Sequence, residues 1–476
     1  MGTGWRGTAV VVEKVLPERR RDGPAPRGRP RFGWADLLGP VGLASVVAVV
    51  CLWVRNEGAE GFGQGSRAIG SAGLLTGLLA SDLMVLQVVM MARIPWVERA
   101  WGHDLLARRH RWVGFASLWL MLAHVALFVA ERLTRQGGAG WVRMRTLFLT
   151  DPWMLFATLG TVMVIGVVVT SVRRARRRLR YESWHLLHLY AYLGIAFSFP
   201  HQIADGAEFH DPVALIYWWA LYLFAAVATL VWRVGLPLWR SAYHRMRVAG
   251  VCAEGPGVVS VTVEGHRLDR LRTRSGQFFI WRFRDGPGWT RGNPYTISAA
   301  PRPDRLRVTI QVAGDGSARA AALCPGTRVL IEGPYGTLTA DRRRHPRMLL
   351  VAAGVGITPL RALLEDAPYE PGETALIYRF TRSEHAIFTA ELAELARRRG
   401  VELHFLPGPR RADGSWLPTG LDGEPDDVGA LLSLVPDVAD RDVFVCGPSM
   451  WISSVRRALR RAGVDREQIQ TEEFAW

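Results

Sequence analysis

The apolar residues of this chain fall into three successive patterns. The first is a series of six long apolar stretches, at about Leu37–Val54, Ala68–Ala92, Trp112–Ala130, Pro152–Val172, Trp184–Ile203 and Pro212–Val234. Each is near the roughly 20 residues needed to cross a bilayer, so the pattern predicts six membrane-spanning helices. The second pattern follows about Arg247. Short alternating runs appear there, such as Val258-Val259-Ser260-Val261-Thr262-Val263 and Arg307-Val308-Thr309-Ile310-Gln311-Val312, punctuated by Gly and Pro. This period-two texture predicts an antiparallel β-barrel. From about Pro346 a third pattern alternates strand, glycine turn and helix: Met348–Ala353 reads as a buried strand, Ala390–Arg399 as a helix, Val443–Cys446 as a strand and Ser449–Ala462 as a helix. That alternation predicts an α/β domain with a parallel sheet. The expected boundaries are 1–35 for a polar arm, 36–240 for a membrane all-α six-helix bundle, 241–345 for the barrel and 346–476 for the α/β domain. No internal repeat is visible, and no low-complexity tract outside the arm.

Composition supports a membrane half joined to a soluble half. Of 476 residues, 49% are hydrophobic, and the mean hydropathy is +0.08, between a soluble protein and a pure membrane bundle. The formal charge of +16 would suit a nucleic-acid binder, but its placement argues otherwise. Arg93, Arg99, Arg108, Arg109 and Arg111 lie between spans two and three; Arg173, Arg174, Arg176, Arg177, Arg178 and Arg180 lie between spans four and five; Arg233, Arg240, Arg245 and Arg247 follow span six. The loop between spans five and six has Asp205, Glu208 and Asp211 and no arginine. Arg132, Arg135, Arg143 and Arg145, between spans three and four, run against the trend. The balance places both termini in the cytoplasm of an integral membrane protein, for which a bacterial-type plasma membrane is expected, and leaves no need for nucleic acid. Nearly all basic residues are arginine, Lys14 being the only lysine. The arm to Arg31 is rich in Arg, Gly and Pro; its one apolar run, Ala9–Val12, is too short for a signal peptide, and it reads as disordered and cytoplasmic. Cys51, Cys252, Cys324 and Cys446 are too scattered for a disulfide framework or a cysteine-ligated cluster.

Two spans carry paired histidines. His110 and His124 are 14 residues apart on span three. At 100° and 1.5 Å per residue they lie within about 40° of one face and about 21 Å apart. His188 and His201 are 13 residues apart on span five, about 140° out of phase on an ideal helix. Pro200 precedes His201 and supplies a cause for local distortion. Both spans start on the cytoplasmic side, so His110 and His188 share an inner level and His124 and His201 an outer one. Two levels with two histidines each suit two stacked bis-histidine b-type haems, which pass electrons and leave no open position on the metal. Isolated polar residues between helices are the bland alternative, and intramembrane ionisable residues are functional candidates by default. His185 competes with His188 but would be 16 residues from His201. His103 and His210 fall in loops. Asp82 lies inside span two and receives no role.

The soluble half carries nucleotide signatures. Arg291-Gly292-Asn293-Pro294-Tyr295-Thr296-Ile297-Ser298 can lay a ring and hydroxyls along a flavin. Gly314-Asp315-Gly316-Ser317 can bring backbone N–H groups to phosphate; turn glycines of a barrel would look similar. Gly354-Val355-Gly356-Ile357-Thr358-Pro359 directly follows a predicted strand and suits a pyrophosphate at a helix start, although proline replaces the last glycine of the full pattern. Cys446-Gly447-Pro448 also follows a strand and can lie beside that turn, near a nicotinamide. Arg382 either binds a ribose phosphate or is a solvated arginine. Trp476 either stacks on the flavin ring or packs on the domain surface.

These motifs together resemble the ferric reductase and NADPH oxidase superfamily, over about Asp36 to Trp476. The membrane part is similar to its ferric-reductase-like transmembrane domain and the soluble part to the ferredoxin–NADP reductase fold. The resemblance implies FAD, NADPH or NADH and two b-type haems, with Thr296 facing the flavin, Cys446 the nicotinamide and Trp476 the other flavin face. It implies electron flow from cytoplasmic NAD(P)H to an acceptor outside, ferric iron or oxygen. A membrane quinone or a partner redox protein is the alternative acceptor, and a haem-free membrane-anchored flavin reductase is a further reading. Two positions depart from the family. Asn293 stands where His or Arg is usual, with Arg291 a candidate substitute. Phe128 stands where superoxide-forming members carry a histidine, which counts against superoxide. No calcium-binding loop precedes the spans, which counts against calcium gating.

Overall fold

The computed structural model describes residues 12–13, 34–63, 65–172, 181–205, 211–421 and 426–473. The chain divides into two compact units, Arg31–Leu236, and Pro237–Trp476 together with Met1–Pro30.

The first unit is helical. Its elements are α1 (Trp34–Arg55), α2 (Ser66–Met91), α3 (Pro95–Trp101), α4 (His103–Gln136), α5 (Gly138–Thr150), α6 (Pro152–Ser171), α7 (Tyr181–Asp205) and α8 (Pro212–Ala228), the last followed by a π-helical stretch, Thr229–Gly235. Local chemistry sets the ends. Asp151 caps α6 by accepting from the Trp153 and Met154 amides, and Asp211 caps α8 by accepting from Ala214, each with proline at the first helical position. Gly102 and Gly137, both at positive φ, break the chain before α4 and after it. Side-chain size sets the packing. Gly70, Gly73 and Gly77 of α2 lie against Glu131, Leu127 and His124 of α4, and Gly160 of α6 meets Gly194 of α7 backbone to backbone. Small residues let helices in a membrane approach this closely. The outward faces stay apolar: Leu43, Trp119, Val162, Ile216 and Leu223 are each at least 60% exposed, which suits lipid rather than water.

Helices occupy all six expected places, but not as six equal spans. Arg67–Met91, Leu105–Gln136, Pro152–Ser171 and Pro212–His244 are long and apolar enough to cross a membrane. The apolar part of α1, Gly39–Arg55, is shorter. The 25-residue α7 is diluted by three histidines and three tyrosines. Two expectations need correction. His103 is not in a loop; it opens α4, which runs 34 residues. The stretch between spans three and four is not a loop either, because it folds as α5. Helix α7 includes Pro200, and a π-helical turn lies at Thr229–Gly235. His210, and the arginines from Arg173 to Arg180, lie outside the described residues.

The second unit begins with α9 (Leu236–His244) and two three-stranded antiparallel sheets. Strands β2 (Arg247–Gly255), β3 (Val258–Glu264) and β6 (Arg305–Gln311) form one; β5 (Asn293–Thr296), β4 (Phe278–Phe283) and β7 (Val329–Tyr335) form the other. They enclose one core of Val261, Val263, Phe279, Trp281, Ile297, Val308 and Ile331. A five-stranded parallel sheet follows, ordered β10 (Glu402–Pro407), β9 (Thr374–Phe380), β8 (Met348–Ala353), β11 (Asp442–Gly447) and β12 (Ile469–Glu473). Strand β8 is buried on both faces: Leu350 and Ala352 join one hydrophobic core, Leu349 and Val351 the other. Helices α10 (Ile357–Asp366), α11 (Thr389–Arg399), α12 (Asp427–Leu434) and α13 (Ser449–Arg461) supply covering side chains. This double burial explains the near-continuous apolar runs of the parallel strands. The arm departs from its expected disorder at two residues: β1 (Val12–Glu13) pairs antiparallel with His404 and Leu403 of β10.

Candidate functional site

In the helical unit, α4 and α7 bring His110 and His188 together, with ring centroids 5.9 Å apart at 68°. A single metal about 2 Å from a nitrogen of each ring would hold two imidazole centroids about 6 Å apart, so this pair fits a bis-histidine iron. The hydrogen bonds also leave the right nitrogens for ligation. His124 Nδ1 lies 2.7 Å from the Gly73 carbonyl. A carbonyl only accepts, so Nδ1 carries the proton and Nε2 keeps its lone pair. His188 Nδ1 lies 3.2 Å from Ser171 Oγ. The Ser171 hydroxyl spends its one proton on the Val167 carbonyl at 2.7 Å and accepts the Trp184 indole at 3.1 Å. His188 Nδ1 must therefore donate as well, again freeing Nε2. Such outer hydrogen bonds orient metal-ligating histidines. The Nδ1 atoms of His110 and His201 are buried without a hydrogen-bond partner, and His201 lies within electrostatic reach of His124. Gly77 makes room: a Cβ there would come within 2.5 Å of His124 Nδ1. Phe128 packs on Phe148 and Arg132. Among the described residues no cluster of three or more metal-ligating side chains exists.

In the second unit, β5 lies at a sheet edge, pairing Thr296 with Phe278 and Pro294 with Ile280. Asn293 and Pro294 remain accessible, Tyr295 is half-buried and Thr296 is buried. Desolvation pushes the Tyr295 phenol up to about 12, so it stays a hydroxyl. The turn at Gly314 comes to the same place: a Cβ on Gly316 would sit 3.3 Å from Asn293 Oδ1. Ser317 Oγ holds that turn by accepting from the Ala313 and Gly314 amides at 2.8 and 3.1 Å. Arg291 is exposed nearby in the chain. Ser298 is wholly buried, its hydroxyl accepting from Thr309 at 2.7 Å, so that side chain serves the core.

The glycine turn after β8 and the Cys446-Gly447-Pro448 turn after β11 are brought side by side, because the two strands are parallel neighbours. The approach is tight: a Cβ on Gly356 would lie 2.3 Å from the Cys446 carbonyl. Both turns open on a cleft of about 260 Å³, lined also by Gln311, Arg379, Thr381 and His385. Thr358 and Pro359 are buried in the first turn of α10. Cys446 is itself fully buried, and burial drives its thiol well up, so its side chain is neutral and its backbone shapes the cleft. Arg382 is 70% exposed and paired with Glu384 at 3.3 Å. Trp476 lies outside the described residues.

Residues 76–199 match the family described as "Ferric reductase like transmembrane component", and residues 350–457 match the "Oxidoreductase NAD-binding domain". The chain is 34% identical over 230 residues to the ferredoxin reductase component of 3-ketosteroid-9-alpha-monooxygenase from Mycolicibacterium smegmatis, covering 47% of this chain and 62% of the relative. The chain thus spans less than two thirds of that relative. It is 31% identical to ferredoxin–NADP reductase B of Sorangium cellulosum over 40% of this chain and 80% of that protein. By its soluble half, the chain belongs to the ferredoxin–NADP reductase family. A ferredoxin NADP+ reductase from Neisseria gonorrhoeae, solved with bound FAD and NADP, is 22% identical over 48% of this chain and 97% of that one, with TM-score 0.39.

The whole is a ferric-reductase-like transmembrane domain fused to a ferredoxin-reductase module, an oxidoreductase architecture with FAD and NAD(P) domains. Within that reductase module, sequence reasoning named Arg382 and passed over Arg379, the arginine that lines the cleft. Arg379 donates to the Gly408 carbonyl at 3.3 Å, and burial and then Arg410 lower its guanidinium somewhat, without threatening its charge. The signal was available: Arg379 lies at the carboxyl end of a parallel strand, where such sheets bind ligands. A clamp in the reductase module was also missed. Glu391 of α11 accepts from Arg307 of β6 at 2.8 and 2.9 Å and from Arg361 of α10 at 2.8 Å. Arg361 also reaches the Ser298 carbonyl at 3.1 Å. The clamp ties the barrel to the parallel-sheet domain two residues beyond Thr296.

Proposed function

We propose that the protein carries electrons across a membrane, from cytoplasmic NAD(P)H through FAD and two stacked b-type haems to an acceptor on the far side. The observation that carries this reading is the His110–His188 pair, 5.9 Å between centroids, with the His188 tautomer fixed by Ser171. His110 and His188 would hold the inner haem, His124 and His201 the outer. Asn293, Tyr295 and Thr296 would line the flavin with Arg291, Pro294, Gly314 and Ser317 around it. Gly354, Gly356, Gly447 and Pro448 would cradle the dinucleotide, with Arg379 facing its negative charge. When bound, the flavin takes the two electrons of one hydride and releases them singly, and bis-histidine haems relay one at a time. The protein's part is to fix distance, orientation and tautomer. Ferric iron or oxygen is the acceptor in this reading, both termini are cytoplasmic, and the membrane is a bacterial-type plasma membrane.

A second reading has one specific support. The relative from Mycolicibacterium smegmatis is a reductase component of a monooxygenase, which supports a partner redox protein as acceptor. One experiment tests the core of both. Detergent-purified protein is examined optically as oxidised by air, then after NADPH under argon. A Soret band and sharp reduced b-type bands on NADPH addition support the relay. Flavin absorbance without haem bands in haem-supplemented protein would overturn it and leave a membrane-anchored flavin reductase.

A further inference from the structure

A second polar cluster lies in the bundle, apart from the histidines. Asp82 of α2 is fully buried. Its Oδ1 accepts from Ser45 Oγ of α1 at 2.7 Å and from Tyr217 Oη of α8 at 2.9 Å. Its Oδ2 is buried with no hydrogen-bond partner. Both donors sit on one oxygen, so a proton on Oδ2 would displace no existing hydrogen bond.

The depth of Asp82 follows from α2. Gly73 and Gly77 touch His124, and Gln87 reaches His110 through its backbone and Ser117 through its side chain. Asp82 is five residues from Gly77 and five from Gln87, about 7.5 Å along the axis from each. It therefore lies midway between the two histidine levels, where a charge on either is felt through a low-dielectric interior.

We propose that Asp82 is a proton-binding site coupled to electron occupancy of the histidine-held centres. The proposal rests on the bis-histidine reading. As one electron arrives, the carboxylate takes one proton from solvent hydronium or buffer acid to become the carboxylic acid; as the electron leaves, the proton returns to the solvent. One O–H bond forms as the donor's breaks, and the added charges cancel. The groups facing Asp82 do not compete for the proton. Ser45 does not titrate, and Tyr217 and the nearby Tyr222 are neutral well below about pH 10. From α7, Gln202 bonds to Ser81 at 2.8 Å rather than to Asp82.

The test is spectroelectrochemistry of the haem-loaded full chain in nanodiscs, with reduced-minus-oxidised infrared spectra. In the parent, the midpoint potentials fall as pH rises, and a carboxylic-acid C=O band grows on reduction. Asp82→Asn keeps an acceptor for Ser45 and Tyr217, flattens the pH dependence and deletes the band. Should that variant fail to assemble, Tyr217→Phe removes one donor from the carboxylate and moves the pH-dependent window upward. Potentials with unchanged pH dependence in the variant, or a carboxyl band indifferent to reduction, would overturn the proposal. A chain with no Soret band would instead sink the bis-histidine reading, and with it the coupling.

Discussion

The two halves build their sites from opposite materials. In the helical unit the candidate ligands are side chains on regular helices, two of them aimed by an outer contact: His124 by the Gly73 carbonyl, His188 by Ser171. In the reductase module the cleft is framed by backbone at two irregular turns, Gly354–Gly356 and Gly447–Pro448, with Gln311, Arg379, Thr381 and His385 beside them. A site of side chains fails when an atom is removed. A site of backbone fails when an atom is added. Gly77 crosses that division, because a glycine in the membrane unit leaves room for an imidazole.

The largest effect should come from deletion in the membrane half. His188→Ala is expected to remove about half of the bound haem and stop transfer to an impermeant acceptor, while flavin reduction by NADPH survives. Haem content per flavin measures it, and an unchanged ratio would break the comparison. The next comes from addition in the soluble half. Gly356→Ala sets a Cβ against the Cys446 carbonyl and should cost about 1–3 kcal/mol, with flavin reduction slowed about tenfold or more. Gly354→Ala makes a control, since no atom lies within 4 Å of its Cβ position. There only the positive φ is paid for, about 1–2 kcal/mol, and the cleft keeps its shape. Stopped-flow reduction of both variants separates crowding from strain.

A third prediction sharpens the assignment within the cleft. Arg379→Ala should raise KM for the dinucleotide about tenfold, the scale of a charge-assisted hydrogen bond, whereas exposed Arg382→Ala should change it by less than about threefold. Equal effects would return Arg382 to the site.

The smallest effect concerns the clamp. Hydrogen bonds from Arg307, then its charge and that of Arg361, hold the Glu391 carboxyl below its usual 4.5. A lowered folded-state value stabilises fully above the ordinary value and is lost as pH falls through the folded one. Glu391→Gln should therefore lower Tm by a few degrees near neutral pH, and the gap from the parent should close below about pH 4. Glu391 is 39% exposed on its side chain, so solvent screening keeps the effect modest.

Legibility differed between the halves for the same reason. The α/β elements could be read closely: Met348–Ala353 is the observed β8, and Ala390–Arg399 and Ser449–Ala462 each differ from the observed helix by one residue at one end. Buried parallel strands leave unbroken apolar runs, and glycine turns end them. The nearness of His110 to His188 was legible because helical rise converts spacing to depth. Other features were not. Positive-φ glycines that cut Pro95–Thr150 into α3, α4 and α5 look like any loop glycine. The Arg307–Glu391–Arg361 clamp joins three elements distant in sequence, and no local pattern announces it. Arg379 and Arg382 are three residues apart, and only the end of β9 decides which one meets the cleft.

The short strand β1 has a consequence for biosynthesis. Val12 and Glu13 pair with β10, about 390 residues further along the chain. At about 5–20 residues per second, a ribosome needs on the order of tens of seconds to make that partner. Until then the first strand has no edge to join, and the last sheet of the protein waits for its first segment to be closed on one side.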